Sequence, residues 1–259
     1  MPQNLFLDTN ICIEWMFNRD SEISDCITSK IPFHSVHISK YVLAEFIRTI
    51  VTDACSLHSI LEEEKDLKSV EKRLYAIFEK EDEHLNRIVN RYILLMESIE
   101  YPRDRPDINF AKGIIKNYAQ CSIKILKKQF NILESNVNCQ LASTKPRRDG
   151  SKFKIDFPCE SGINHIDCTI IHYITSNGTF LNQIESGIRA ETEPYFKELR
   201  ELIEKFNNRT IINCSLQYCK ILGDLIVLND CPRNYHLVSK DHHFETLCPI
   251  TGHNLIKVD

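Results

Sequence analysis

Four acidic residues carry the chemistry open to this chain. Asp8 stands at the polar tip of Asn4 to Asn10 (NLFLDTN), which reads as a short buried strand. Glu45 lies one helical turn into a helix expected after a second strand candidate, Val36-His37-Ile38. Asp224 is placed near the start of a helix-like segment, Gly223 to Asn229. Asp241 follows His236-Leu237-Val238-Ser239, another strand candidate. Open parallel sheets bind ligands beyond the carboxyl ends of their strands. Crowded carboxylates repel one another and need a counter-charge. A hard divalent cation such as Mg²⁺ or Mn²⁺ supplies it through oxygen ligands alone. Any one of these acids, taken singly, also fits a helix cap. Four of them at matching element ends point to a shared metal site.

Positioning such acids takes α/β material, and the sequence places it at both ends of the chain. Ser39 is a good N-cap for a helix starting at Lys40. From Tyr41 to Tyr101 there is no Gly or Pro. Apolar residues recur there at helical spacing, among them Leu67, Val70, Leu74 and Ile77, which predicts two or more long helices. Pro102 and Pro106 break the pattern. Another helix is expected from about Phe110 to Glu134, a loop from Thr144 to Gly162, and helices at Ile166 to Thr175 and Pro194 to Asn207. Thr210 to Cys214 is β-rich, His242 to Cys248 is a short helix, and Asn254 to Val258 is a final strand. The two ends form one parallel sheet on this reading, with a helical insertion between them.

These pieces resemble the PIN-domain nucleases. The resemblance rests on Leu5-Phe6-Leu7-Asp8-Thr9-Asn10, Leu43-Ala44-Glu45-Phe46, Gly223-Asp224-Leu225-Ile226 and Leu237-Val238-Ser239-Lys240-Asp241-His242-His243-Phe244, closed by Thr251 to Val258. It implies a PIN-like α/β core, a parallel sheet flanked by helices, built from residues 1–55 and 208–259. Residues 56–207 form a large helical insertion, basic and loop-rich over 101–162. It also implies a metal-dependent phosphodiesterase, foremost an endoribonuclease leaving 5′-phosphate and 3′-hydroxyl ends. Asp8, Glu45, Asp224 and Asp241 are the implied catalytic and Mg²⁺- or Mn²⁺-binding acids, with Asn10 and Ser239 as polar support facing substrate. The span from Glu45 to Asp224 is far longer than in the compact toxin ribonucleases of the family. Ile166-Asp167-Cys168-Thr169 also has the acid-plus-apolar pattern, which makes Asp167 a further ligand candidate. His242 and His243 read as a capping or solvated pair at a strand-to-helix turn.

From Arg103 to Lys154 there are twelve Lys and Arg against four Asp and Glu, a local +8 in a chain of net −4. Such asymmetry fits a phosphate-backbone footprint, with Lys145, Arg147, Arg148 and Lys152 as substrate contacts. The bland alternative is a solvated loop. The runs Glu62-Glu63-Glu64 and Glu79 to Glu83 read as solvated helix faces. RNA is the favoured partner over DNA, though a DNA-directed nuclease of the flap-endonuclease-like group stands as an alternative. So does a non-catalytic PIN-like scaffold. A toxin or antiviral-defence role, a protein inhibitor or effector partner, and a homodimer are left open. A haloacid-dehalogenase phosphatase is set aside, because it needs an Asp where this chain has Asn10.

The length of 259 residues fits one large domain or two small ones. Only 7 Gly and 9 Pro rule against low-complexity and turn-rich all-β chains. No apolar run reaches the roughly 18 residues of a membrane span, and the N-terminus lacks signal-peptide features. A cytoplasmic protein with no membrane partner is expected. The 11 cysteines are scattered without a CxxC pair, as reduced, mostly buried small apolar residues would be. Cys159, His165 and Cys168 match no standard zinc spacing. No glycine-rich phosphate loop is present.

Overall fold

The computed structural model describes residues 4–17, 35–79, 83–97, 107–138, 146–150, 152–154, 169–208 and 216–258. The chain opens with β1 (Asn4–Leu7), α1 (Thr9–Phe17), β2 (Val36–Ser39) and α2 (Lys40–Glu63). Three more helices follow: α3 (Leu67–Phe78), α4 (Glu83–Glu97) and α5 (Ile108–Gln129). Then come β3 (Asn131–Leu133), β4 (Arg147–Asp149), β5 (Lys152–Lys154), α6 (Ile170–Ser176), α7 (Gly178–Gly187) and α8 (Pro194–Asn207). The last described stretch is α9 (Leu216–Asp230), β6 (Tyr235–Ser239), α10 (His243–Thr251) and β7 (Asn254–Lys257).

The fold is α/β. A five-stranded sheet, all parallel, runs in the order β3-β2-β1-β6-β7 and is flanked by helices. Leu5, Phe6 and Leu7 of β1 are fully buried, as a strand covered on both faces requires. The chain crosses from β2 into α2 at Ser39, whose Oγ accepts the Val42 N–H at 3.2 Å. That is the cap the sequence predicts. Gly252, at φ +73, ends α10 in the left-handed conformation and turns the chain into β7.

Two elements differ from the sequence reading. The helix expected to reach Glu134 stops at Gln129, and Asn131–Leu133 becomes the edge strand β3 beside β2. Phe130 anchors that break: its ring is 4% exposed and packs against Trp15 at 5.0 Å. The expected loop from Thr144 holds, in its described part, an antiparallel hairpin pairing Arg147 with Lys154 and Asp149 with Lys152. The Thr210 to Cys214 run lies outside the described residues.

The chain divides into two compact units. One comprises residues 1–46, 127–143 and 157–259, the other 47–126 and 144–156. The described residues 127–138 and 169–207, which the sequence assigns to the insertion, therefore belong with the sheet. Their packing gives the reason: β3 pairs with β2, α7 lies against α10, and α8 lies against α9. Phe196, Leu199 and Ile203 of α8 are buried. The second unit is a helical body whose core includes Leu61, Val70, Leu74, Ile88, Tyr92 and Ile115. In that unit Glu62 pairs with Lys112, and Glu63 and Glu64 pair with Arg73, so this acidic run is tied down rather than merely solvated. Among the described residues no helix is long and apolar enough to cross a membrane.

Candidate active site

The carboxyl ends of β1 and β6, the two strands at the sheet centre, bring Asp8 and Ser239 together. Ser239 is fully buried, and its Oγ makes three bonds. It donates to Asp8 Oδ2 at 2.8 Å, and accepts from the Asp241 N–H at 3.0 Å and from Asn10 Nδ2 at 3.3 Å. One hydroxyl thus ties the ends of both strands to the first turn of α1. Asp8 Oδ1 accepts the Thr9 N–H at 2.6 Å. Glu45 reaches the same place from α2, accepting from Thr9 Oγ1 at 2.9 Å and from the Tyr41 hydroxyl at 3.1 Å.

Asp224 enters from α9. It sits in the middle of that helix, whereas the sequence places it near a helix start, because the helix begins at Leu216. The neighbouring Gly223 is buried beside Glu45. A Cβ there would stand 3.4 Å from the Tyr41 hydroxyl and 3.5 Å from Glu45 Oε1. Those are ordinary contact distances, so α9 lies close against the acid on α2 at this point.

The fourth acid comes with a partner that the sequence reading undervalues. His243, the first residue of α10, is not a solvated turn residue. Its Nδ1 lies 2.9 Å from Asp241 Oδ1 and 3.4 Å from Asp224 Oδ2. Its backbone N–H donates to Asp241 Oδ1 at 3.1 Å. Tyr195 of α8 stacks on the imidazole, with ring centres 3.7 Å apart and planes 12° apart, and Phe196 meets it edge-on at 5.7 Å. His242 is exposed, as expected, and its Nε2 lies 3.1 Å from Glu193 Oε2.

The electrostatics follow from burial and crowding. Burial pushes the Asp8 carboxyl up to about 8; Asp224 and Glu45 add repulsion, and the Ser239 hydrogen bond opposes them. Burial also holds Asp224 above the usual carboxylate range, with Asp241 adding to it and His243 and Tyr195 opposing. Burial acts upward on Asp241 too, but contacts with His243 outweigh it and hold this carboxyl low. For His243 burial favours the neutral ring, yet Asp224 and Asp241 raise its pKa to about 9. The imidazolium is therefore an internal counter-charge, and it sits toward Asp224 and Asp241.

Asp8, Glu45, Asp224, Asp241, Asn10 and Ser239 thus meet in one region of the sheet unit. Arg147 and Arg148 are exposed on β4 and Lys152 lies on β5, all in the helical unit. Lys145, Asp167, Cys159, His165 and Cys168 lie outside the described residues. The sequence reading missed Tyr41, Thr9 and Tyr195. Tyr41 carries a legible signal, since it stands one helical turn before Glu45. Tyr195 carries none, because only the packing of α8 brings it to His243.

Removing the Ser239 hydroxyl is expected to destabilise the chain measurably. Ser239→Ala leaves Asp8, Asn10 and the Asp241 N–H each short of one buried partner, at a cost of about 1–3 kcal/mol. Chemical denaturation of the metal-free protein at pH 6 checks this, and a loss below about 0.5 kcal/mol would remove Ser239 from this tying role. No family model, curated protein or solved structure matches this chain.

Proposed function

We propose that this chain is a metal-dependent phosphodiesterase, an endoribonuclease in the manner of the PIN-domain nucleases. One observation carries the reading: four acids from four separate elements converge beyond the strand ends. There burial, reinforced by repulsion from Asp224 and Glu45, raises the Asp8 pKa to about 8. Strand ends that served only to cap helices would have no reason to gather buried carboxylates.

The residues fit a hard divalent cation. The donors are mostly oxygens, and Asn10 Oδ1 is buried without a hydrogen-bond partner. Asp8, Glu45, Asp224 and Asp241 would hold the ion. When bound, such an ion lowers the pKa of a water and offsets charge gathering on a phosphate. The protein supplies the rest. Ser239 and the Thr9 N–H fix both oxygens of Asp8, Thr9 and Tyr41 fix both oxygens of Glu45, and Tyr195 fixes the His243 ring. Preset groups of this kind need no reorganisation when charge develops.

The test is cleavage of end-labelled RNA by purified protein. Activity is expected with Mg²⁺ or Mn²⁺, none with EDTA, and products with 5′-phosphate and 3′-hydroxyl ends. Cleavage that persists in EDTA, or products with 2′,3′-cyclic phosphate ends, would overturn the reading. A matched DNA strand in the same assay separates it from the DNA-directed alternative.

The basic hairpin has its own expected result. Changing Lys145, Arg147, Arg148, Lys152 and Lys154 to Gln is expected to weaken RNA binding. Loss of three phosphate contacts flattens the dependence of log affinity on log salt by about two units. Filter binding at several salt concentrations reads this, and an unchanged slope takes the hairpin out of the RNA path.

A further inference from the structure

Among the described residues, the atoms that gather most like a coordination shell are not the four acids alone. Ligand atoms of Asp224, Asp241 and His243 all lie within 4.8 Å of one another, and none of the three residues is fully exposed. We propose that His243 is a direct metal ligand through Nδ1, which makes this a mixed nitrogen and oxygen site selecting Mn²⁺ or a later first-row ion over Mg²⁺. The inference rests on the metal-dependent reading above and names the ion for that same site.

Spacing is the first argument. Two donors each bound at about 2.1 Å stand about 3.0 Å apart at a right angle and about 3.4 Å apart at the tetrahedral angle. His243 Nδ1 stands 2.9 Å from Asp241 Oδ1 and 3.4 Å from Asp224 Oδ2. The nitrogen is already at ligand spacing from both acids.

The second argument is that this nitrogen is buried and close to oxygen, yet makes no hydrogen bond of regular geometry. A ring placed there simply to bridge two carboxylates would point an N–H at one of them. This nitrogen sits off hydrogen-bond geometry to either acid, and an ion shared by the three residues would take the place of the proton that Nδ1 carries in the metal-free imidazolium. The third argument is rigidity. Ring orientation at a metal is set by what surrounds it, and here Tyr195 covers one face while Phe196 abuts the edge.

Ligand chemistry then decides the ion. Imidazole suits transition ions, whereas Mg²⁺ prefers oxygen throughout and keeps several waters. One nitrogen donor among carboxylates shifts the balance from Mg²⁺ towards Mn²⁺, and further towards later ions in the Irving–Williams order.

The test uses the full-length, metal-stripped protein titrated with Mn²⁺ and read by pulsed electron paramagnetic resonance. The expected result is nitrogen modulation of a directly bound imidazole. Its pattern should change on selective labelling with ¹⁵N-histidine, which needs no substitution. His243→Gln is expected to lose the modulation and His242→Gln to keep it. By calorimetry, the preference of His243→Gln for Mn²⁺ over Mg²⁺ is expected to fall about tenfold. Mn²⁺ bound by the wild-type chain without nitrogen coupling would overturn the proposal while leaving the metal-dependent function standing. Coupling lost in His242→Gln but kept in His243→Gln would also overturn it. No bound Mn²⁺ at all would sink the proposal and the function together.

Discussion

Asp8→Asn is expected to give a protein that folds, gains stability at pH 8 without metal, and loses cleavage by about 10³-fold or more, equal to about 4 kcal/mol of barrier. Asparagine keeps the shape and one of the two acceptor oxygens, that to Thr9 or that to Ser239, and exchanges the other for an NH₂ group, so the charge is removed at the cost of one hydrogen bond. The stability change follows from proton linkage. Burial, with repulsion from Asp224 and Glu45, pushes folded Asp8 up to about 8, against an ordinary carboxyl value of 3.8. Between those values the folded chain keeps a proton that the unfolded chain has released. The stabilisation is complete below the unfolded pKa and is lost as pH rises through the folded pKa. Metal-free wild-type protein therefore weakens from about pH 4 to pH 8, by up to about 1.4 kcal/mol per pH unit for one such group. Asp8→Asn removes that slope; the part due to Asp224 remains. Thermal unfolding in EDTA at pH 5, 6, 7 and 8 measures both chains. Equal pH slopes would show that Asp8 is not held protonated by burial and its neighbouring acids, and full activity in Asp8→Asn would end the metal-site reading.

The second large effect lies in the helical unit, away from any chemistry. Asp53 of α2 and Arg91 of α4 form an ion pair in which the side chains are 2% and 4% exposed. They sit among Ile50, Leu57, Leu95, Ile115 and Tyr118. Burial alone draws the guanidinium pKa down to about 10, so Arg91 stays charged at neutral pH and needs its acid. Asp53→Ala is expected to destabilise this unit by about 3–5 kcal/mol, because it strands a buried cation. Asp53→Leu combined with Arg91→Met removes both charges and is expected to recover most of that loss. Urea unfolding of the two variants decides it. A single variant within about 1 kcal/mol of wild type would show that other groups carry the charge of Arg91.

The sequence disclosed the parts of the fold whose pattern is local. Buried runs closing on polar tips marked β1, β2 and β6, and Ser39 marked the start of α2, since strand period and cap chemistry act over a few residues. The edge strand β3 escaped notice. Three residues after a 22-residue helix show no period of their own, and what ends the helix is Phe130 meeting Trp15, far away in sequence. Asp8, Glu45, Asp224 and Asp241 stood out by position relative to elements. His243 did not: its neighbours Asp224 and Tyr195 come from two other helices. Tyr195 sits in a segment that pattern alone assigns to the insertion, and only the packing of α8 on α9 reveals it as a wall of the site.

The order of strands in the sheet has a consequence for how the protein is made. β1 lies between β2 and β6, and the Ser239 bond to Asp8 spans 231 residues. As the chain leaves the ribosome, Asp8 and Glu45 emerge first, while Asp224, Ser239 and Asp241 follow only after the long intervening segment has been synthesised. Until then β1 lacks one neighbour and its acids lack their company. Contacts so distant in sequence also form late and slowly once the chain is free. A nascent or truncated polypeptide ending before β6 thus lacks Ser239 and Asp241 and leaves the acid cluster unassembled. On the proposed reading as a ribonuclease, this would keep the chain harmless beside the very message being translated.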